Sequence, residues 1–520
     1  MKVKLLTLLA LQAAAALSAA PPMELKQAVR SYREAHDRQI VQELADLVSL
    51  RNVASNRADI ERNADAMLAL LRRHGIEGRL LTAATRDGQT APPAVFAEVK
   101  APGAKRTIVF YAHYDGQPAD AADWGGQDPW KPVLRTGPRG PETKDVDLAT
   151  AASPLPAEWR LYGRSTSDDK APIVAVLAAL DALRAAGVPP SVNIKFFFEG
   201  EEEAGSPHLK DILTANAGLL KADCWILADG PVHQSRKLQV VFGARGVTDV
   251  EMTVYGPSHA LHSGHYGNWA PNPAALLVQL LAGLRGPNGE IRIEDFYRDV
   301  RPLSESEKQA AAAMPPVEDA LRQELQLAWT EGDPSGTGRL QDLVMQPALN
   351  LRGLQSAQVG KGARNAIPTD ASASIDFRLV PDQTPERVRE LTEAHLKKQG
   401  YWVVHEEPDA ATRLAHPRIV RLVWGTGYPG ARTSMDLPAS RAVLRAIETG
   451  WGPVLRVPML GGSVPVYVFN ETMQVPVIAL PIANHDNNQH AAHENLRLQN
   501  LWDGIEVYAA LFAKLQDSWP

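Results

Sequence analysis

Five short segments of this sequence carry side chains that bind metals or transfer protons. In chain order they are His113 with Asp115, Asp168 with Asp169, the run Glu199–Glu203, Asp229 and His490. Each segment alone has an ordinary explanation, such as helix-capping acids or a solvated acidic loop. Together they supply imidazole nitrogens and carboxylate oxygens, the ligand set that suits borderline metals such as zinc. The set therefore predicts a metal site.

The predicted strands explain how distant segments could meet. Apolar runs of strand type precede four of the five segments, at residues 107–111, 192–198, 219–227 and 475–480. In an α/β sheet the ends of strands are where sites assemble. Acids crowded at such an edge repel each other, and a dication would relieve that repulsion. We therefore expect one shared site at the edge of one sheet.

Two of the segments have a local geometry that the sequence suggests. Strand positions two apart point to the same face, so His113 and Asp115 can interact, and the carboxylate can fix the tautomer of a metal-bound imidazole. Asp168 and Asp169 open a predicted helix over 169–186. One acid suffices as an N-cap, which leaves the other available to bind a cation.

Strands that alternate with helices predict an α/β fold, with a central mixed sheet covered by helices on both faces. The pattern changes after Gly243, because the runs 247–255 and 371–379 alternate like half-exposed strands. We predict a catalytic domain in two parts, residues 21–243 and 425–520. An α+β lid or dimerisation domain at 244–424 would interrupt it.

The first twenty residues have the composition of a secretory signal peptide. Lys2 and Lys4 precede the apolar stretch Leu5–Leu17, and small residues follow at Ser18–Ala20. A core helix is a poorer explanation, because the stretch is not amphipathic. We expect a secreted or periplasmic protein with its signal peptide at residues 1–20.

Composition narrows the class of function. The chain has 520 residues, 45% of them hydrophobic, and a formal net charge of −6. This charge gives no basic surface for nucleic acid, and no further segment is long and apolar enough to span a membrane. The one cysteine, Cys224, lies in an apolar run and is expected to fill the core.

As a set, the motifs resemble the cocatalytic zinc metallopeptidases that include carnosinases, non-specific dipeptidases, aminoacylases and glutamate carboxypeptidases. The carnosinase-like dipeptidase branch is the most similar. The matching segments run in order through nearly the whole chain: His113-x-Asp115, Gly163-Arg164-x-x-x-Asp168-Asp169-Lys170, Glu199-Gly200-x-Glu202-Glu203-x-Gly205-Ser206, Asp229, Leu261-His262-Ser263-Gly264, Phe377-Arg378-Leu379-Val380-Pro381, Gly461-Gly462-Ser463-Val464-Pro465 and His490-x-x-x-Glu494.

The resemblance implies two divalent metal ions, with zinc expected and manganese or cobalt as alternatives. It implies that the metal ligands are His113, Asp168, Glu203, Asp229 and His490, with Asp168 between the two ions. It implies Glu202 as general base, Asp115 as the residue that orients His113, and His262 as an oxyanion stabiliser. The implied substrate-binding residues are Arg378, Asn365, Gly462 and Ser463.

The implied activity is hydrolysis of dipeptides or other short peptides with a free C-terminal carboxylate, by a homodimer. An N-acyl-amino-acid amidohydrolase, or an enzyme similar to glutamate carboxypeptidases, is the alternative. A non-catalytic peptide-binding protein on the same fold is a third reading, but Glu202 and all five implied ligands are present. Departures from the family pattern, such as Ala491 and His493 beside His490, change no ligand and bear on substrate preference.

Overall fold

The computed structural model describes residues 24–85, 88–332, 338–464 and 466–519. The predicted signal peptide lies outside these residues, as do the side chain of Ser463 and the whole of Pro465. Within the described part of the chain, no helix combines the length and apolarity needed to cross a bilayer.

The described residues form strands and helices in a mixed order along the chain. The strands are β1 Gly78–Leu81, β2 Ala94–Val99, β3 Thr107–His113, β4 Val133–Arg135, β5 Asp145–Val146, β6 Arg160–Tyr162, β7 Asn193–Glu199, β8 Cys224–Leu227, β9 Gln239–Val241, β10 Gly243–Tyr255, β11 Leu261–His262, β12 Ala348–Gln355, β13 Ala366–Ile367, β14 Asp370–Leu379, β15 Trp402–Val404, β16 Ile419–Trp424, β17 Ala431–Arg432, β18 Leu455–Val457, β19 Leu460–Ser463, β20 Val477–Ala479 and β21 Asn495–Arg497. The helices are α1 Leu25–Val48, α2 Arg57–Arg73, α3 Ala171–Ala185, α4 Leu209–Ala215, α5 Ala217–Leu220, α6 Ser263–Tyr266, α7 Pro273–Leu284, α8 Glu305–Ala313, α9 Glu318–Glu324, α10 Leu340–Val344, α11 Pro385–Lys398, α12 Ala410–Ala415, α13 Pro438–Gly450, α14 Val466–Met473 and α15 Leu498–Ser518.

The first large sheet has eight strands in the order β1-β2-β7-β3-β8-β20-β9-β18. Strands β7, β3, β8 and β20 are mutually parallel, whereas β2 runs antiparallel to β7 and β9 antiparallel to β20. The sheet is therefore mixed, as predicted. Its parallel centre carries the carboxyl ends of β3, β7, β8 and β20 to one edge, and four of the five candidate segments lie at or after those ends. Asp168 instead follows β6, which belongs to a separate four-stranded sheet.

Both faces of this sheet are covered by helices, which confirms the predicted α/β class. Side chains alternate along β3, so Phe110 packs in the core with α1, α3, α13 and α15. Tyr111, on the opposite face, packs in a second core with α4 and α14. The strands are apolar on both faces because neither face meets water.

A second sheet contains β10, β12, β14, β15 and β16, with β17 and β19 joined to β10. The alternating apolar residues of β14 are all buried: Ala371, Ala373, Ile375, Phe377 and Leu379. Strand β10 pairs with β17 at its start and with β14 and β16 further along. The backbones of β10 and β17 are very close at Gly243. A Cβ there would lie 2.3 Å from the carbonyl oxygen of Ala431, so only glycine fits. The exact limits of the predicted lid domain stay a prediction.

A buried histidine joins three helices on one face of the first sheet. His74, just after α2, has Nδ1 2.6 Å from Asp181 Oδ2 on α3 and Nε2 3.2 Å from Glu43 Oε2 on α1. Arg184 donates to both Asp181 and the His74 carbonyl, and Tyr32 lies within the field of the two acids. Burial acts to lower the pKa of His74, but the two hydrogen-bonded carboxylates outweigh it and raise the pKa to about 9.

We expect His74 to stabilise the fold fully below pH 6.5, and to lose that contribution as the pH rises through about 9. A group with a higher pKa in the folded state binds its proton more tightly there, and a rise from 6.5 to about 9 corresponds to about 3 kcal/mol. His74→Gln should therefore be less stable than wild type at pH 6, with a difference that shrinks by pH 10. Urea unfolding at both pH values measures this, with exposed His259→Gln as control. A pH-independent difference would contradict it.

Candidate functional site

His113 is the last residue of β3 and is fully buried. Its Nδ1 lies 3.3 Å from Asp115 Oδ1, and its Nε2 lies 2.9 Å from Asp168 Oδ1. The Asp115 carboxylate also accepts the backbone N–H groups of Glu202 and Glu203, at 3.1 and 3.0 Å. One buried acid therefore fixes both the imidazole and the turn that carries the two glutamates.

The described residues contain two clusters with three potential metal-binding side chains each, whose ligand atoms lie within 4.8 Å of one another in each cluster. The clusters are His113 with Asp169 and Asp229, and Asp168 with Glu203 and His490. The Asp168 carboxylate faces both, because its Oδ1 lies 2.9 Å from His113 Nε2 and its Oδ2 3.1 Å from His490 Nε2. The structure thus brings together all five ligands that the resemblance implies.

Asp168 and Asp169 lie in the turn Thr166–Lys170 and do not open a helix as predicted. The predicted helix from Asp169 begins instead at Ala171. Its N-cap position is Lys170 and no side-chain hydrogen bond caps it, so neither Asp168 nor Asp169 serves as the cap. Asp169 Oδ2 accepts the backbone N–H of His113, and its Oδ1 is buried without a hydrogen bond. Asp169 is a cluster member that the sequence analysis did not select, although its position beside Asp168 was a signal for it.

The site concentrates negative charge in a buried space. Burial, together with the nearby charge of Asp168, raises the pKa of Asp229 to about 7. Burial also raises the pKa of Glu202 well above its usual value, and Asp229 and Asp168 add to the effect against the opposing influence of His113. Such shifts are expected where buried carboxylates crowd together. The donor set and the unpaired Asp169 oxygen therefore fit divalent metal ions.

Glu494 holds the turn that carries Asp168. It is fully buried, and its Oε1 accepts the backbone N–H groups of Ser167 and Asp168 at 2.9 and 3.0 Å. Its Oε2 accepts the N–H of Ser165 and a guanidinium hydrogen of Arg164, both at 2.9 Å. Because Glu494 lies four residues after His490, one carboxylate ties the His490 loop to the Asp168 turn. The sequence analysis gave it no role, since only the fold shows these contacts.

Lys170 anchors the same turn from the other side. Its ammonium group is buried and donates to the carbonyl oxygens of Leu47 and Leu50, and to Asn63 Oδ1 at 2.8 Å. Burial lowers the pKa of Lys170 to about 7. The carbonyls lie at the C-terminal end of α1, where a cation is favourable. The turn is therefore fixed against both α1 and the His490 loop.

A cavity of about 430 Å³ opens beside the clusters. Four ionisable residues bound it on one side, namely Asp168, Glu202, Asp229 and His490. Glu202 Oε2 lies 4.0 Å from His113 Nε2. The general base implied by the resemblance therefore lies both at the clusters and at the cavity, where a bound substrate would meet it.

The implied substrate-binding residues are distributed differently. Gly462 lines the cavity, whereas His262, Asn365 and Arg378 are not among the described residues that line it. Arg378 Nε donates to Asp376 Oδ2 at 2.9 Å on β14. His262 is exposed and lies against His265, with ring centroids 4.5 Å apart. Among the implied oxyanion stabiliser His262 and the implied substrate-binding residues Asn365, Arg378 and Gly462, the described part of the chain therefore joins only Gly462 to the cavity.

We expect Glu494→Gln to weaken divalent metal binding by tenfold or more, because a neutral amide cannot accept all the donors of the Asp168 turn and leaves Arg164 unpaired in a buried place. Titration of the apoprotein with zinc measures this. Glu307→Gln is the matched control, because Glu307 forms a buried 2.8 Å pair with Arg432 that includes no cluster residue. Equal metal affinity in Glu494→Gln and wild type would contradict the expectation.

The chain is similar to several curated peptidases over most of its length. It is 29% identical over 443 residues to the Cys-Gly metallodipeptidase dug1 of Schizosaccharomyces pombe, which covers 84% of this chain and 85% of that protein. It is 27% identical over 515 residues to the human Beta-Ala-His dipeptidase, which covers 96% of this chain and 94% of that protein.

Solved structures show the same fold. Human carnosine dipeptidase 1 matches with a TM-score of 0.69 and 25% identity, over 96% of this chain and 100% of that one. The metallo-carboxypeptidase Sso-CP2 of Sulfolobus solfataricus also matches with a TM-score of 0.69 and 25% identity, over 92% and 98%. The model of Peptidase family M20/M25/M40 matches residues 109–514, which include every member of the two clusters. The chain belongs to this peptidase family.

Proposed function

We propose that the protein is a dinuclear metal-dependent exopeptidase that hydrolyses the amide bond of dipeptides and similarly short peptides. The observation that carries the proposal is the Asp168 carboxylate, whose two oxygens face two ligand clusters beside a cavity that Glu202 lines. Two relatives named above as dipeptidases, similar over most of their length, support the substrate class. The same comparisons give the amidohydrolase alternative no comparable support.

The ligand assignment follows the two clusters. His113 and Asp229 would hold one ion, Glu203 and His490 the other, and Asp168 would contact both. We propose zinc, because nitrogen and oxygen donors suit it. When bound, the two ions polarise the substrate carbonyl and lower the pKa of a water molecule.

Protein side chains supply the proton transfers. Glu202 accepts a proton from the attacking water and then delivers it to the leaving amine. The backbone N–H of Glu202 donates to Asp115, so one carboxylate supports both the base's backbone and His113.

We expect Glu202→Gln to retain metal and to lose at least about a hundredfold in kcat, because the amide cannot accept a proton. Metal analysis and dipeptide hydrolysis by the same preparation measure both properties. Glu201→Gln is the matched control, because Glu201 pairs with His208 at 2.8 Å and is not a member of either cluster. Asp168→Ala and His490→Ala should lose metal. Near-normal kcat in metal-loaded Glu202→Gln would place the base elsewhere.

We further propose that the substrate has a free C-terminal carboxylate. Gly462 lines the cavity, and a Cβ there would meet no atom within 4 Å, so its backbone is open to a ligand. The resemblance implies Arg378 as a substrate-binding residue, and its planar guanidinium can pair with that carboxylate.

C-terminally amidated dipeptides should therefore lose about tenfold or more in kcat/KM relative to free dipeptides, because a charged hydrogen bond is lost. Arg378→Met should remove most of this discrimination. Arg421→Met is the matched control, because Arg421 lies in β16 of the same sheet and pairs with Glu407. Equal cleavage of amidated and free dipeptides by wild type would remove the carboxylate from the proposal.

We propose that the enzyme acts as a homodimer that shares His262 between subunits. Strand β12 is at the edge of the second sheet, and its Leu351 and Leu354 are 48% and 60% exposed. An open edge with exposed leucines is suited to pairing with another chain. A second copy on this face could bring its His262 to the site. The loop before β13, which holds Asn365, also binds the His262 strand.

Mixing inactive His262→Ala and Glu202→Gln subunits should restore about a quarter of wild-type activity, because half of the dimers are mixed and each contains one complete site. The measurement is dipeptide hydrolysis after subunit exchange, with each variant alone as control. A fully active monomer in solution would contradict the shared site.

Export through residues 1–20 remains a separate prediction, which fractionation of the expressing cells would test.

A further inference from the structure

We propose that the cavity beside the clusters selects peptides with an uncharged aliphatic side chain, such as leucine or valine, next to the scissile bond. This inference rests on the proposed function and adds the side-chain class of its substrate. The cavity has a volume of about 430 Å³, ample for one such side chain.

The rest of the cavity wall is mainly aliphatic. It is formed by residues of β8, β9, β19 and β20, by Val464 and by the first residue of α14. The residues that carry the argument are Leu227, Val241, Leu460, Val464, Val466 and Val477. Gln489 is the only uncharged polar side chain among the described residues that line the cavity. A substrate side chain that enters it therefore meets mainly hydrocarbon.

Charge separates the cavity into two parts. Its ionisable residues all belong to the clusters or, as Glu202, lie directly beside them. The reacting amide must lie there, so an adjacent side chain that turns away from the clusters enters the aliphatic part. A buried carboxylate or ammonium would find no opposite charge in that wall and would lose its hydration. An aliphatic group would instead gain from leaving water.

Two series of dipeptides test the inference in the metal-loaded enzyme, X-Gly and Gly-X, with X as Leu, Val, Ala, Asp or Lys. In at least one series, kcat/KM for Leu and Val should exceed that for Asp and Lys by about tenfold or more. Calorimetric titration of metal-loaded Glu202→Gln with the same peptides should show the same order of affinity without turnover.

Two variants of the wall test whether the cavity causes the preference. Ala479→Leu should narrow the cavity and reduce kcat/KM for Leu peptides more than for Ala peptides. Val464→Asp, at a half-buried position, should reduce cleavage of Leu peptides and improve that of Lys peptides. The matched control is Leu414→Asp, which is 90% exposed in α12 and lines no part of the cavity.

The outcomes of these experiments distinguish failure of the side-chain preference from failure of the proposed dipeptidase function. Cleavage of dipeptides with no preference for aliphatic over charged side chains in either series would overturn the inference and leave the dipeptidase standing. A preference that neither wall variant changes would also overturn it. Failure to cleave any dipeptide with zinc, manganese or cobalt would overturn the proposed function and the inference together.

Discussion

Like charges crowded in a buried space are the constraint on which this site depends. Asp168, Asp169, Glu203 and Asp229 converge near the ends of β3 and β8 and the acidic turn after β7, and both Asp168 and Asp169 are buried from solvent. Burial raises the pKa of Asp229 and of Asp169 for this reason. Two cations would relieve the repulsion, so metal binding and a compact site favour each other.

Hydrogen bonds with neighbouring side chains position the ligands for these ions, and they leave the metal-facing atoms of the ligands free. Asp115 joins β3 to the glutamate turn, and Glu494 joins the Asp168 turn to the His490 loop. Lys170 adds a third link, to the end of α1. The linking side chains Asp115, Glu494 and Lys170 are buried. Their hydrogen bonds stabilise the site as long as every buried donor and acceptor has a partner. This explains why ligands from five separate segments can share a site without disulfides.

The sequence was sufficient to predict the fold class and the principal cluster members, because strands and their polar ends have distinct patterns. His113 and His490 were found in this way. Asp169 was predicted only as a possible helix cap, because a local pattern does not distinguish a capping acid from a ligand. Glu494 was assigned no role, since its contacts cross between distant segments that no local pattern relates. The cavity wall was missed for another reason: Val241 and Val477 belong to ordinary apolar strands, and their sequence pattern is that of any buried core residue.

The single cysteine has a practical consequence. Cys224 is fully buried in β8, and burial raises the pKa of its thiol, so it reacts poorly with maleimides or spin labels. A cysteine introduced on the exposed side of β16 and another on α13 would then be the only labelled positions. Fluorescence energy transfer or electron-spin distance measurements could follow the separation of the two sheets during turnover, without first removing a native thiol.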